Sequence, residues 1–334
     1  MPLPHFSLAS QFDSVVPDAH QQALSERYIA PELDRITAGV AAIRANIDAR
    51  FEEKKRQQQA TDRAHKGSLK DLSLYPYGFC DDIRDIAFAS IEANLQKHSG
   101  DDSAFASLKP FLAEGGIFRR IWGELTHGPY FQNAMQIGSY YLDCANDTVV
   151  VTKPKLEVMP LVDTNFRNVH SFEHYFTVAS HYYKWESYPN TLYPRLAPLF
   201  PALAVHKESG VLLICPVALP LMLKNLNSGG RLAEQFLNAS GWREKSLPAT
   251  YREIAERHSR DIWPVQARTQ SVPQESWLSF EPEQSAATFT RFRAWLEAGH
   301  GNKQYMAVMQ AVDEARKQFD QSLRRYSLAQ RQAD

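Results

Sequence analysis

MQIGSYYLDCANDTVVVTKPKLEVMPL, Met135 to Leu161, interrupts a chain that otherwise reads as helix. It is rich in β-branched and aromatic residues, which pack well on a pleated surface, and Asn146-Asp147 reads as a tight turn inside it. Pro154 lacks a backbone donor and marks an edge or a break. The run therefore predicts a hairpin or meander. A second apolar run, VLLICPVALPLML, spans Val211 to Leu223 and carries two prolines. It is too short to cross a bilayer. It predicts a buried strand near Val211 to Cys215, joining the same sheet, followed by a turn or short helix.

Helical signals surround these runs. Leu33, Ile36, Val40, Ile43 and Ile47 recur at three- and four-residue steps, giving one apolar stripe within a helical reading of Asp18 to Arg63. Pro31 suits the first turn of a new helix there. After Cys80, Ile83, Ile86, Ala87, Ile91 and Leu95 form a second stripe, with Asp81 and Asp82 in the first turn where the helix dipole favours negative charge. Ser103 to Ala113, Pro248 to His258, Ala287 to Ala298 and Met306 to Gln330 read as further helices, and Phe166 to Glu186 as one long aromatic helix. The glycines of NSGGRLAEQF, Asn227 to Phe236, read as a loop-to-helix cap. The expected fold is helix-rich α+β, a small, mainly antiparallel sheet flanked by helices, with long terminal helices. The expected organisation is an N-terminal helical arm at 1–66, an α+β core at 67–225 and a C-terminal helical region at 226–334.

The 334 residues suffice for one large domain or two ordinary ones, and the hydrophobic share of 44% is that of a soluble globular chain. The net charge of −1 shows no basic excess, so a nucleic-acid partner is not expected. Three widely spaced cysteines, Cys80, Cys144 and Cys215, argue against a disulfide framework and suit a reducing cytoplasm. MPLPHFSLASQF has neither a basic start nor a long apolar run, so neither a signal peptide nor a membrane partner is expected.

Two constellations carry chemistry. The first begins in YPYGFCDD, Tyr75 to Asp82, where Cys80 follows a turn and opens a helix. Backbone N–H groups at a helix N-terminus favour a thiolate, whereas the two aspartates that follow oppose it. Such a nucleophile needs a base and the base an orienting group, for which His127 in LTHGPYF and Asp143 in SYYLD are the candidates. The order Cys, His, Asp, with helix first and strands after, resembles transglutaminase-like and papain-like cysteine enzymes over Gly78 to Asp147. The resemblance implies acyl transfer or amide hydrolysis on a split α+β core. The chain departs from that pattern at one point. The family's histidine begins the strand before the Asp strand, a place that falls here at Tyr130 or Phe131, with His127 a few residues earlier.

The second constellation is HSFEHYFTVASH. His170, His174 and His181 are spaced by four and seven residues, which puts them on one arc of an ideal helix with Glu173 beside them. Two histidines one turn apart suit one metal ion, and HSFEH is similar to the H-x-x-E-H string of inverzincin metalloproteases. That string implies zinc on His170 and His174 and water activation by Glu173. Iron also suits two histidines and a carboxylate. Glu253 and Glu256, on a later helix, are the candidate third ligands. The bland alternative is a polar helix face that happens to carry histidines.

These readings give a leading expectation and two alternatives. The first is a soluble cytoplasmic enzyme whose His/Glu zinc or iron site does hydrolytic or oxidative work on a small polar substrate. Its site is a cleft between the Asp143 sheet and the His170–His174 helix. The second is a Cys80–His127–Asp143 thiol acyltransferase or hydrolase acting on a small-molecule or peptide substrate. The third is a non-enzymatic interaction or scaffold protein that forms homo-oligomers through its terminal helices.

Overall fold

The computed structural model describes residues 14–61, 71–97, 103–125, 130–261, 285–298, 316–317, 320–325 and 329. The fold is helix-rich α+β with a five-stranded and a three-stranded antiparallel sheet. Two compact units divide between Asn168 and Val169, inside the stretch that the sequence reading grouped as one core.

In the N-terminal unit the Asp18 carboxylate caps α1 (Ala19–Leu24) by accepting from the Gln21 N–H at 2.8 Å. A π-turn, Ser25–Ile29, and a 3-10 turn, Ala30–Glu32, which holds Pro31, lead into α2 (Leu33–Thr61). The predicted stripe is the core face of α2. Ile36, Val40 and Ile47 are buried, and Leu33 and Ile43 pack against the same cluster. α3 (Cys80–Lys97) buries Ile83, Ala87 and Ile91 there too, each isoleucine stabilising by about 1.5–3 kcal/mol. α4 (Leu108–Ala113) adds Leu108 and Phe111.

The sheet order is β4-β3-β2-β1-β5, with β1 (Phe118–Leu125), β2 (Tyr130–Ile137), β3 (Tyr140–Asp143), β4 (Glu157–Pro160) and β5 (Phe166–Asn168). β2, β3 and β4 form the predicted meander. Gly138 (φ 56°) turns the chain between β2 and β3, and a Cβ there would lie 2.0 Å from Ser25 Oγ. Asn146 and Asp147 sit at the centre of a turn closed by the Thr148 N–H donating to Ala145 O at 3.1 Å, the first bend of the β3–β4 connection. Side chains alternate between two faces. Met135, Ile137, Leu142 and Cys144 join the cluster of α2 and α3, whereas Ala134 and Tyr141 join Ile121, Leu161 and Phe166 in a separate cluster.

The C-terminal unit carries β6 (Trp185–Pro189), β7 (Ala202–His206) and β8 (Leu212–Ile214) in the order β6-β7-β8. The strand expected at Val211 to Cys215 is β8, in this sheet rather than in the sheet of Met135 to Leu161. The expected helix over Phe166 to Glu186 is corrected to β5, then α5 (Phe172–Tyr182), then β6. Ser171 caps α5 by accepting from the His174 N–H at 3.2 Å, and Lys184, at φ 55°, ends the helical path. α6 (Leu219–Asn227) follows β8 with a proline in its first turn. α7 (Arg231–Asn238) starts after its N-cap Gly230 (φ 80°), the last residue of NSGG, and Asn225 Oδ1 from the preceding helix accepts from the Ala233 N–H at 3.1 Å. α8 (Ser240–Arg243), α9 (Ala249–Asp261) and α10 (Ser285–Glu297) complete the unit. The helix expected over Met306 to Gln330 lies largely outside the described residues. Among the described residues no helix is long and apolar enough to cross a membrane.

Candidate functional site

Cys80 opens α3 and is held in place from both sides. Before it, Gly78 takes a left-handed φ of 78°, and its N–H donates to Thr148 O at 3.0 Å, tying YPYG to the Asn146-Asp147 turn. Phe79 is buried edge-on against Phe51 and Tyr75, each ring 5.4 Å away. The turn itself is anchored to α2. Asp147 accepts twice from the Arg44 guanidinium, at 2.8 and 3.0 Å, and Cys144 O accepts from Arg44 Nη1 at 2.6 Å.

The half-buried sulfur meets β2. Asn133 Nδ2 donates to Cys80 Sγ at 3.1 Å, and Asn133 Oδ1 accepts from Arg84 Nη1 at 2.6 Å. The guanidinium has only donors, so it fixes the amide oxygen toward itself and the amide N–H toward the sulfur. Arg84, 6% exposed, also pairs with Asp85 at 2.8 Å, and Asp85 with Arg120 at 3.3 Å. The arrangement is a chain of carboxylate, guanidinium, amide and thiol along one helix-sheet interface. Asn133 is a fixed donor and does not titrate.

The Cys80–Asp143 pairing of the sequence reading is corrected. Asp143 shares the Tyr141 side of β3, accepting from the Tyr141 hydroxyl at 3.2 Å and the Ala145 N–H at 2.7 Å. Cys80 packs on the opposite face, with Leu142 and Cys144. Burial pushes the Asp143 carboxyl up to about 7 against those two hydrogen bonds, with Glu157 across the strand adding to the rise. His127 lies outside the described residues. Tyr130 and Phe131 begin β2, so the place that the resemblance gives to the histidine holds an aromatic residue and the triad of that pattern is incomplete there; Asn133 of the same strand donates to the thiol. Cys144 and Cys215 are buried thiols, and burial pushes Cys144 up to about 12, which makes both packing residues.

The histidines divide differently from the single arc expected. His170 precedes the α5 cap, while His174 and His181 lie on the helix. His170 Nδ1 and His174 Nδ1 are nonetheless 3.2 Å apart. His181 turns its Nδ1 to Thr177 O at 3.0 Å. Glu173 is exposed in the first turn. Glu253, one expected third ligand, pairs with Arg257, and Glu256, the other, lines a cavity with Arg243 and Arg252. Among the described residues no group of three or more His, Cys, Asp or Glu side chains is arranged to hold a metal ion.

Asn133 and Arg84 escaped the sequence reading. The signal was the alternation Phe131, Asn133, Met135, Ile137, where one amide interrupts an apolar face. No family model, no curated protein and no solved structure matches the chain.

Proposed function

We propose that the N-terminal unit is a thiol-dependent acyl-transfer or amide-hydrolysing module with Cys80 as nucleophile, acting on a small-molecule or peptide carbonyl compound. The observation that carries this reading is the Asn133 Nδ2 to Cys80 Sγ hydrogen bond of 3.1 Å, oriented by Arg84. A hydrogen bond to a charged group contributes about 1.5–3 kcal/mol, and helix-terminal N–H groups about 0.3–1 kcal/mol more. The exposed Asp81 and the half-buried Asp82 oppose the thiolate, each by about 1 kcal/mol or less where water screens the charge. The donors therefore outweigh them. In the reaction the thiolate sulfur attacks the carbonyl carbon, the C–N or C–O bond breaks as the leaving amine or alcohol takes a proton from water, and water or a second nucleophile then cleaves the thioester and releases the thiolate. The three thiols fit a reducing compartment, and the reading adopts the cytoplasm. Iodoacetamide labelling of wild type against Asn133→Ala tests it. Labelling of Cys80 at pH 7 that is faster than that of free cysteine, and slowed in the variant, supports the reading. Equal rates in the two proteins remove it.

A second reading rests on the imidazole pair. Two nitrogens bound to tetrahedral zinc at about 2.0–2.1 Å lie about 3.3 Å apart, close to the 3.2 Å between His170 Nδ1 and His174 Nδ1. The pair offers two ligands for zinc or iron, and Glu173 is the adjacent carboxylate for water activation. Titration of the purified chain with zinc and with ferrous iron tests this reading. Saturable binding lost in His174→Ala supports it, and binding unchanged in that variant rejects it.

A further inference from the structure

The C-terminal unit contains a cavity of about 250 Å³ that neither functional reading uses. Its charged lining is unbalanced. Arg243 at the end of α8, Lys245 just beyond it and Arg252 on α9 face one carboxylate, Glu256. The Ser246 hydroxyl and Thr191 add polar groups, and Leu192, Leu203 and Leu247 supply an apolar wall. Lys245 is kept in position by two rings, its Nζ lying 5.0 Å from the Tyr188 centroid and 5.2 Å from that of Trp242. Its contact with Glu186 is a long one, 3.9 Å, and burial holds its ammonium below the usual lysine range.

The geometry points to a binding site for a small phosphomonoester whose organic part is apolar. Three cations against Glu256 in the lining and Glu186 beside Lys245 leave net positive charge in a concave space whose two arginines reach solvent, where anions are favoured. Two guanidinium forks and an ammonium match the several oxygens of a phosphate dianion better than the two of a carboxylate. The leucine wall calls for an apolar group beside the phosphate rather than a free ion. The volume lies below the range of about 300–1,000 Å³ that holds drug-sized ligands, so the ligand is small.

Calorimetric titration of the full chain with phenyl phosphate tests the assignment. Inorganic phosphate, benzoate and phenol are the comparison probes, and circular dichroism checks the folding of each variant. The expected result is saturable binding of phenyl phosphate that weakens as sodium chloride is raised. It should weaken at least tenfold in Arg243→Ala and in Arg252→Ala, while Arg243→Lys retains part of it. Phenol should not bind, and inorganic phosphate and benzoate should both bind more weakly. No saturable binding of phenyl phosphate, or binding unmoved by both alanine substitutions, overturns the site. Benzoate tighter than phenyl phosphate overturns the choice of phosphate, and inorganic phosphate as tight as phenyl phosphate overturns the role of the leucine wall.

Discussion

Asp143 and Cys80 stand on opposite faces of the five-stranded sheet. Asp143 accepts from the Tyr141 hydroxyl on one side, and Cys80 packs with Leu142 and Cys144 on the other. A strand shows neighbouring residues to opposite faces, so Asp143 points away from the side on which the thiol packs. Asp143 is a buried structural carboxyl, and its consequence is thermodynamic. Its folded value of about 7 lies above the unfolded carboxylate value of about 3.9. The folded chain therefore binds more protons between those values, and this contribution to stability is lost as pH rises from about 4 through 7. Asp143→Asn should be more stable than wild type at pH 8, by about 1–3 kcal/mol, with the advantage shrinking toward pH 5. Urea unfolding at the two pH values measures it. An advantage of the same size at both contradicts the assignment.

His258 gives the opposite slope. It is fully buried, its ring edge-on to Tyr193 at 6.5 Å, and burial lowers it to about 4. The unfolded imidazole, near 6.5, takes up a proton that the folded one refuses. Stability from this residue is complete above about pH 6.5 and falls as pH drops toward 4, by up to about 3 kcal/mol. Asp320, pushed up to about 6 by burial, opposes this trend in part. The measurement is therefore the difference between wild type and His258→Leu, which should change sign or shrink as the buffer goes from pH 7.5 to pH 4.5. A difference independent of pH rules the account out.

Arg44 holds the turn that fixes the thiol. It is 2% exposed, and its guanidinium meets Asp147 and Cys144 O while its Nε meets Asp48 at 2.8 Å. Removing one partner strands a buried charge and costs about 3–5 kcal/mol. Arg44→Ala should lower stability by that amount in chemical denaturation, and Arg44→Ala with Asp147→Asn should recover part of it. A double variant as unstable as the sum of the two singles shows that the pair is not coupled.

Much of the fold is legible in the sequence, and the reasons are local. The stripes of α2 and α3 are written at helical spacing and form the core. The stretch around Gly138 and Pro154 carries strand-forming side chains, and it forms the meander. β1, FRRIWGEL, went unseen because Arg119, Arg120 and Glu124 spread charge over both faces and hide the period of two. Arg167 on the neighbouring β5 pairs with Glu124 at 2.8 Å, a compensation that only the register reveals. The long helix expected over Phe166 to Glu186 failed for a related reason. Its aromatic residues serve either state, and the break depends on a single cap at Ser171 and a left-handed Lys184. Of the candidate site, Cys80 at a helix start was readable from the turn before it. Its partner was not, because Asn133 is 53 residues away along the chain, on a strand whose register with α3 no local rule supplies.

The rate at which Cys80 reacts, followed against pH in wild type, Asn133→Ala and Asn133→Asp, tests the central claim most directly. Iodoacetamide is the reagent, and mass mapping of the labelled peptide excludes Cys144 and Cys215. The account predicts that wild-type Cys80 alkylates at pH 6.5 faster than free cysteine. It also predicts that Asn133→Ala slows this at least tenfold, and that Asn133→Asp, which sets a carboxylate against the sulfur, slows it further. A wild-type profile that overlays free cysteine, with both substitutions leaving it unmoved, contradicts the account.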